Sequence, residues 1–541
     1  MNWVVAKEYR DFIHEIAAIP DDFPAHARII KENMVRQSSV ISLAGDGDIF
    51  VKRYKMQGWG EMLKYLFLPA KVEREWKNIR LFHQNHLPTV TPVAKGVKRQ
   101  GALLRDSVLI TRHIPDCSTL KEFSLAAHHQ SSRAILAQKK EIITKAARQI
   151  RMIHERGFFY RDLHAGNILI REDLSGSFDL FFVDLHKAWH LKRVPYLGRI
   201  RDLAQLKNSL PSTRSHQIRF LKAYLRAGDP PLLMMAGEIE KYAESLERDH
   251  LKSRTRRCLI TSSEFMVEKD LKKGMYWKKR YGKDFVDAVF KEYHEAKAQG
   301  RIHTLKEQTK SSVSLVTVPR KDETLTVCLK EFKYPSFFYA VRSSFTKSRA
   351  LKSWVASHGL RVRGFLTPEP LALQEERKGG ILQRSILVFE YLDGIEELNA
   401  YILKNFDTPV SPGQRLKKKR FIESLSKEIK RLHARGICQP DLKSNNILVR
   451  ESKEGWQFFF IDLDRITFKK RLSPREMVKN LAQINASVAD CITITDRLRF
   501  FRSYAANTPL ASHKKDAYRE ILEIGRKKVT EPYRLNFKKN A

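Results

Sequence analysis

The strongest constraint on this chain is that it carries one pattern of chemistry-bearing residues twice. In the first half, Tyr160-Arg161-Asp162-Leu163-His164-Ala165-Gly166-Asn167-Ile168-Leu169-Ile170 precedes Phe181-Phe182-Val183-Asp184-Leu185-His186. In the second, Gln439-Pro440-Asp441-Leu442-Lys443-Ser444-Asn445-Asn446-Ile447-Leu448-Val449 precedes Phe459-Phe460-Ile461-Asp462-Leu463-Asp464. The offset hardly drifts: Lys52 and Lys330 are 278 apart, Asp162 and Asp441 279, Asp184 and Asp462 278. Farther on, Arg201-Asp202-Leu203-Ala204-Gln205-Leu206 answers Lys479-Asn480-Leu481-Ala482-Gln483-Ile484. A period this long marks duplication of a whole domain rather than a short stacked repeat. At 541 residues the chain also exceeds what one hydrophobic core holds. Two domains are expected, 1–250 and 251–541. No Pro/Gly/Ser-rich linker marks the boundary, which suits two closely packed copies.

Each copy reads in the same order. Residues 48–54 and 325–332 are rich in β-branched and aromatic residues and predict strands that carry Lys52 and Lys330. Residues 72–82 and 348–358 predict helices, each with a Trp on its apolar face. Short apolar strands at 107–111 and 385–390 follow, then amphipathic helices at 141–155 and 421–434. Gly157 and Gly436 close those helices just before the Asp loops. Strand, helix, strands, long helix and Asp loop is the order of a bilobal kinase-like domain, so the expected fold class is α+β: two tandem bilobal protein-kinase-like domains.

The chemistry follows from residue types and spacing. In the first copy Asp162 is placed to accept the proton of an attacking hydroxyl, and Asn167 and Asp184 to hold Mg2+. Lys52 is expected on the α/β-phosphates of ATP, oriented by Glu75 of the following helix. His164 has two readings, a phosphate contact or core packing, and Asp202 reads as an anchor for the loop backbone. The second copy keeps Lys330, Asp441 as base, and Asn446 and Asp462 as metal ligands. It adds Lys443, a cation placed to neutralise the transferring phosphate. It lacks the helix carboxylate: aligning Trp76 with Trp354 puts Ser353 opposite Glu75. Glu331 adjoins Lys330 on a strand and faces the other way. Asn480 replaces Asp202. These changes suit an impaired or regulatory copy, although the retained ligands favour ATP binding. Neither half has a full G-x-G-x-x-G loop, and Ala44-Gly45-Asp46-Gly47 is a weak turn signal. Only 18 residues separate Asp184 from Asp202, and likewise Asp462 from Asn480. That leaves no room for the activation segment and peptide platform of a protein kinase.

Charge bears on the partner. Lys plus Arg number 100 against 61 Asp plus Glu, a formal net charge of +39. Such a surplus implies a polyanionic partner, whether nucleic acid, anionic lipid or a phosphorylated substrate. No apolar run approaches the ~18 residues of a membrane span, and the first residues lack the apolar stretch of a signal peptide. The five dispersed cysteines suit a reducing compartment and no metal site.

On these residues the chain resembles the lipopolysaccharide core kinases, the Kdo/heptose kinase (WaaP-like) family. The resemblance rests on Arg74-Glu75-Trp76, the Tyr160–Leu169 loop, Val183-Asp184-Leu185-His186 and Arg201–Leu206, with Ser348–Trp354 and Thr367–Pro370 as a second-copy variant. It implies an ATP- and Mg2+-dependent kinase phosphorylating a Kdo or heptose hydroxyl of the lipopolysaccharide inner core. It also implies a lipid A-linked acceptor and a peripheral place on the cytoplasmic face of the inner membrane, where an anionic surface accounts for the charge. Lys52, Glu75, Asp162, Asn167 and Asp184 match the family's functional positions; Ser353 departs from them. The competing readings are a protein or small-metabolite kinase, a membrane-associated pseudokinase scaffold, and a nucleic-acid binder. The last has charge alone in its favour, so no nucleic acid is expected.

Overall fold

The computed structural model describes residues 1–12, 27–32, 36–43, 47–56, 59–128, 130–320, 323–407 and 411–529. Of the weak turn at 44–47 only Gly47 lies among them. The chain divides into two compact units, Met1–Glu247 and Arg248–Ala541. The division falls inside a helix, Leu232–Arg256, which explains why composition marks no linker.

The first unit opens with an antiparallel sheet of β1 (Asn2–Val5), β2 (Arg28–Glu32), β3 (Arg36–Leu43), β4 (Gly47–Lys55), β5 (Pro92–Gln100) and β6 (Leu103–Arg112). Its spatial order is β1-β5-β6-β4-β3-β2, so Lys52 sits on an interior strand opposite Ser38 and Leu109. Helices α1 (Trp59–Phe67) and α2 (Lys71–Gln84) interrupt it between β4 and β5. Val72, Glu75, Trp76, Ile79 and Phe82 form one buried stripe of α2 at helical spacing. A helix-rich part follows, built on α3 (Arg133–Glu155), α4 (Tyr196–Asn208) and α5 (Arg214–Tyr224).

The second unit repeats this plan with a seven-stranded sheet. Its strands are β7 (Phe265–Lys269), β8 (Lys273–Lys278), β9 (His303–Gln308), β10 (Ser311–Arg320), β11 (Glu323–Lys333), β12 (Pro370–Lys378) and β13 (Ile381–Glu390), ordered β7-β8-β12-β13-β11-β10-β9. An added helix, α6 (Lys283–Ala298), packs Phe285, Val289, Phe290 and Tyr293 against Val316, Val327 and Leu329 of one sheet face. Glu331 points to that side, hydrogen-bonded by Tyr293 at 3.0 Å and ion-paired with Lys297. Helices α7 (Phe337–Ser344) and α8 (Arg349–Val362) stand where α1 and α2 stand in the first unit. The helix-rich part carries α9 (Pro412–Ala434), α10 (Pro474–Ser487) and α11 (Ile494–Ala505).

The long helices begin earlier than the periodicity indicates, at Arg133 rather than 141 and at Pro412 rather than 421. Ser132 and Ser411 cap them, and their first turns lie largely in solvent, outside the buried stripe. Both end at a glycine with positive φ, Gly157 (80°) and Gly436 (70°). A Cβ at either would collide with a backbone carbonyl oxygen, of Leu191 or Lys469. Those same residues return a backbone hydrogen bond of 2.8 Å to the glycine.

A buried histidine ties each long helix to the elements beyond the Asp loop. His154 meets the Tyr224 hydroxyl (2.8 Å) and Asp202 (3.3 Å). Its counterpart His433 meets Tyr504 (2.6 Å) and Asn480 Oδ1 (3.2 Å). A neutral imidazole carrying its proton on Nε2 satisfies both of the latter contacts. Burial pushes His433 down to about 4, with the Asn480 hydrogen bond opposing. The unfolded residue titrates near ~6.5, so below that pH the unfolded state binds a proton that the native state refuses. His433 should therefore make stability fall as pH drops from ~6.5 to about 4, by about 3 kcal/mol, and then level off. Urea denaturation across this range should show a steeper slope for the wild type than for His433→Gln; identical slopes would contradict the assignment.

Candidate active sites

In the first unit, strand alternation puts Lys52 and Tyr54 on the face that α2 covers, and helical spacing aims Glu75 at them. Lys52 Nζ lies 2.9 Å from both Glu75 oxygens and 3.0 Å from Asp184 Oδ1. Lys52, Tyr54 and Glu75 are all buried, and the Tyr54 hydroxyl donates to Glu75. Burial and the two carboxylates push the Tyr54 phenol well up, so it stays a donor.

Asp184 occupies a tight turn at φ 64°, a conformation costly for a non-glycine residue. Its carboxylate meets Arg36 (3.2 Å) and His186 Nδ1 (2.6 Å) besides Lys52. Burial acts to raise the Asp184 pKa. The Lys52 charge and the His186 hydrogen bond outweigh it and hold the group well below the usual carboxylate range. Asn78 of α2 donates to the carbonyls of Leu185 (2.7 Å) and Ala188 (2.9 Å), fastening this turn to the helix.

The Asp162 loop is held from behind. Asp202 accepts hydrogen bonds from Tyr160 N and Arg161 N, each at 2.8 Å, and the Tyr160 hydroxyl donates to Val183 O. Asn167 Nδ2 donates to Asp162 O at 3.1 Å, which leaves Oδ1 as the accepting end of that amide. Lys187 Nζ lies 2.7 Å from the Asp162 carboxylate. Burial lowers the His164 pKa. Lys52, Glu75, Asn167 and Asp184 share the wall of one cavity of about 540 Å³, a size suited to a small molecule. Hard divalent cations take oxygen ligands, and Asp184 with Asn167 Oδ1 supplies them. Glu75, Asp184 and His186 also present donor atoms within 4.8 Å of one another, but both Glu75 oxygens are engaged by Lys52.

The second unit reaches a similar arrangement by other contacts. Lys330 Nζ lies 2.8 Å from Asp462 Oδ1, and Asp462 adopts the same left-handed turn at φ 57°. Burial would raise the Asp462 carboxyl, but Lys330 prevails and lowers it. Ser353 is buried where Glu75 stands, and Phe332 stands at the position of Tyr54, so carboxylate and hydroxyl are lost together. Arg349, at the first turn of α8, instead bonds Asp464 Oδ2 at 2.6 Å, joining that helix to the Asp462 turn. Gln439 Nε2 donates to Ile461 O at 3.0 Å, doing for this loop what Tyr160 does for the other. Pro440 has no N–H to offer, so the second donor that Asp202 accepts has no counterpart beside Asn480. Asn446 Nδ2 donates to Asp441 O at 2.8 Å, and Lys443 Nζ lies 3.0 Å from Asp441 Oδ1.

All ten sequence-nominated residues thus fall in two clusters, one per unit. Sequence reasoning missed Arg36, Asn78, Lys187 and Arg349. Each lies in a stretch of ordinary basic or amphipathic composition and acquires its partner only when the chain folds.

With this geometry in view, relatives can be compared. The model of the lipopolysaccharide kinase (Kdo/WaaP) family matches residues 24–224 and 337–504. The chain belongs to this family. It is a phosphotransferase of kinase-like fold. The second matched segment begins after Lys330, so that strand lies outside it. Lipopolysaccharide core heptose(I) kinase WaaP of Pseudomonas aeruginosa is 31% identical over 188 residues, 33% of this chain and 69% of that protein. The Escherichia coli protein of the same name is 26% identical over 209 residues, 37% of this chain and 78% of that protein. A solved structure of WaaP in complex with acyl carrier protein is 23% identical with a TM-score of 0.35, covering 46% of this chain and 99% of that one.

The paired loss of Tyr54 and Glu75 in the second unit suggests a test in the first. Glu75→Ser removes one partner of a buried ion pair and should cost about 3–5 kcal/mol. Adding Tyr54→Phe removes the hydroxyl orphaned by that change and should recover about 1–3 kcal/mol. Urea denaturation of the single and double variants should show this recovery; simple additive losses would count against a shared network.

Proposed function

We propose that this chain is an ATP- and Mg2+-dependent kinase that phosphorylates a Kdo or heptose hydroxyl of the lipopolysaccharide inner core. In this reading each unit is a bilobal kinase-like domain, and the first carries most of the activity. The observation that carries it is the junction of Lys52, Glu75 and Asp184 beside the Asp162–Asn167 loop. Family membership and the relatives named as core heptose kinases support the acceptor class.

Asp162 would take the proton of the attacking sugar hydroxyl, and Lys52 would hold the α/β-phosphates in the orientation that Glu75 fixes. Asn167 and Asp184 would hold Mg2+, which when bound neutralises charge on the transferring phosphate. Lys187, beside Asp162, is within reach of the same phosphate, as Lys443 is in the second unit. Between Asp184 and Asp202 lie only a short turn, the two-residue strand Trp189–His190 and the start of α4. This leaves no peptide platform and disfavours a protein acceptor. The +39 charge supports peripheral association with the anionic cytoplasmic face of the inner membrane, where a lipid A-linked acceptor would sit. Among the described residues no helix is long and apolar enough to cross a membrane.

The second unit lacks the helix carboxylate, so it should position ATP less well; a displacement of ~1 Å can cost about 100-fold in rate. Asp162→Ala should therefore abolish most transfer while leaving ATP binding nearly intact, and Asp441→Ala should reduce transfer less. Phosphate incorporation into purified lipopolysaccharide core, read by mass spectrometry for each variant, decides the ranking. The reverse order would make the second unit the main catalyst, and unchanged transfer in the Asp162→Ala/Asp441→Ala double variant would overturn the assignment.

A further inference from the structure

Four phenylalanines lie outside both cores without any cover from their own unit. Phe67 is 88% exposed, Phe337 66%, Phe338 86% and Phe345 85%. Leu68, beside Phe67, is 50% exposed. Single exposed apolar side chains are ordinary, but clustered exposed aromatic rings mark a contact surface. Phe67 and Phe345 are 278 apart, the offset that separates Lys52 from Lys330 and Asp184 from Asp462. The two copies have diverged at Glu75/Ser353 and Tyr54/Phe332, yet both keep an exposed Phe at this place.

We propose that α1 with Leu68, and α7 with Phe345, are the elements through which each unit contacts an anionic bilayer. Charge selects this occupant. Residues 337–352, which span α7 and Phe345, contain no Asp or Glu; α1 carries one acidic residue, Glu61, six positions before Phe67, and residues 62–72 carry none. Lys64 in the first segment and Arg342, Lys347 and Lys352 in the second are exposed. Aromatic side chains that enter the headgroup boundary, flanked by cations that meet anionic headgroups, are the pattern of an interfacial element. A soluble protein partner would not by itself call for a stretch such as 337–352, which carries charges of one sign beside three exposed phenylalanines.

Each element also leads straight into the helix that touches its site. Only Pro69 and Ala70 separate Leu68 from α2, which carries Glu75 and Asn78. Arg349, four residues past Phe345, bonds Asp464 beside the Asp462 turn. Contact with the bilayer at α1 or α7 would bring the phosphate-transfer cleft to the membrane plane. This consequence rests on the reading of a lipid-linked acceptor; the contact surface does not.

The test uses the full chain with Phe337, Phe338 and Phe345 changed to Ser, with Phe67→Ser, and with all four combined. Each is paired with a Phe→Leu control that keeps the sites apolar. Co-sedimentation with vesicles of phosphatidylcholine plus phosphatidylglycerol should fall at least about tenfold in the fourfold Ser variant and little in the Leu control. The aromatic contribution is not screened, so the wild type should retain some binding in high salt that the Ser variant loses. Thermal unfolding and phosphorylation of lipid-free core oligosaccharide should stay as in the wild type. Wild-type vesicle binding by the Ser variants overturns the proposal. So does loss of self-association with vesicle binding intact, which would make these faces a contact between copies. If the wild type phosphorylates no core acceptor while the Ser variants lose vesicle binding, the sugar-kinase reading falls and the membrane surface stands.

Discussion

Lys52 joins three parts of the first unit that are far apart in sequence. Its ammonium group sits on an interior strand, its first partner Glu75 on α2, and its second partner Asp184 on the turn after the Asp loop. A buried charge is tolerable only when it is fully paired and hydrogen-bonded. Both pairings converge on the one ammonium group, so the strand, the helix and the turn are tied at a single point. Asn78 repeats the link in neutral form by tying α2 to the same turn. The left-handed backbone at Asp184 is held by these surroundings, since a non-glycine residue does not adopt it by preference.

The second unit shows which parts of this closure can be exchanged. There the helix reaches the Asp462 turn through Arg349 and Asp464, not through a carboxylate on lysine. The exchanges come in matched sets: Phe332 accompanies Ser353, and Pro440 accompanies Asn480. In each set, one residue gives up a hydrogen-bonding group and its neighbour gives up the corresponding partner. Replacing both sides of a buried polar contact costs far less than removing one. The recurrence of the pattern makes such paired differences visible within a single chain.

Much of this was legible in the sequence because the repeated motif pattern acts as an internal comparison. The strands bearing Lys52 and Lys330, the helices bearing Glu75 and Ser353, and both Asp loops were readable from apolar periodicity and fixed spacing. The opposite orientation of Glu331 followed from strand alternation alone. The first turns of α3 and α9 were not readable, since solvent-facing helical turns carry no apolar period. Arg36, Asn78, Lys187 and Arg349 were hidden for a different reason. Their partners lie from 25 to 148 residues away, as for Lys187–Asp162 and Arg36–Asp184, and a lone basic or amide residue does not announce a distant contact.

The unequal closures bear on how each unit would hold the nucleotide and divalent cation proposed for it. In the first, Lys52 has two anchors, so Glu75 would keep the lysine in place were Asp184 to turn toward the proposed cation. In the second, the ion-pair partner of Lys330 among the described residues is Asp462, which is also the carboxylate proposed to bind the cation. Lysine and metal would then draw on the same group, and binding one weakens the hold on the other. Arg349 does not relieve this, because it adds positive charge near Asp462 without supplying a carboxylate for Lys330. A site of this kind can hold a polyphosphate through its cations yet orient it poorly for transfer. On the proposed roles, Ser353 in place of a glutamate would separate binding from catalysis, and the division of labour proposed for the two units rests on that difference.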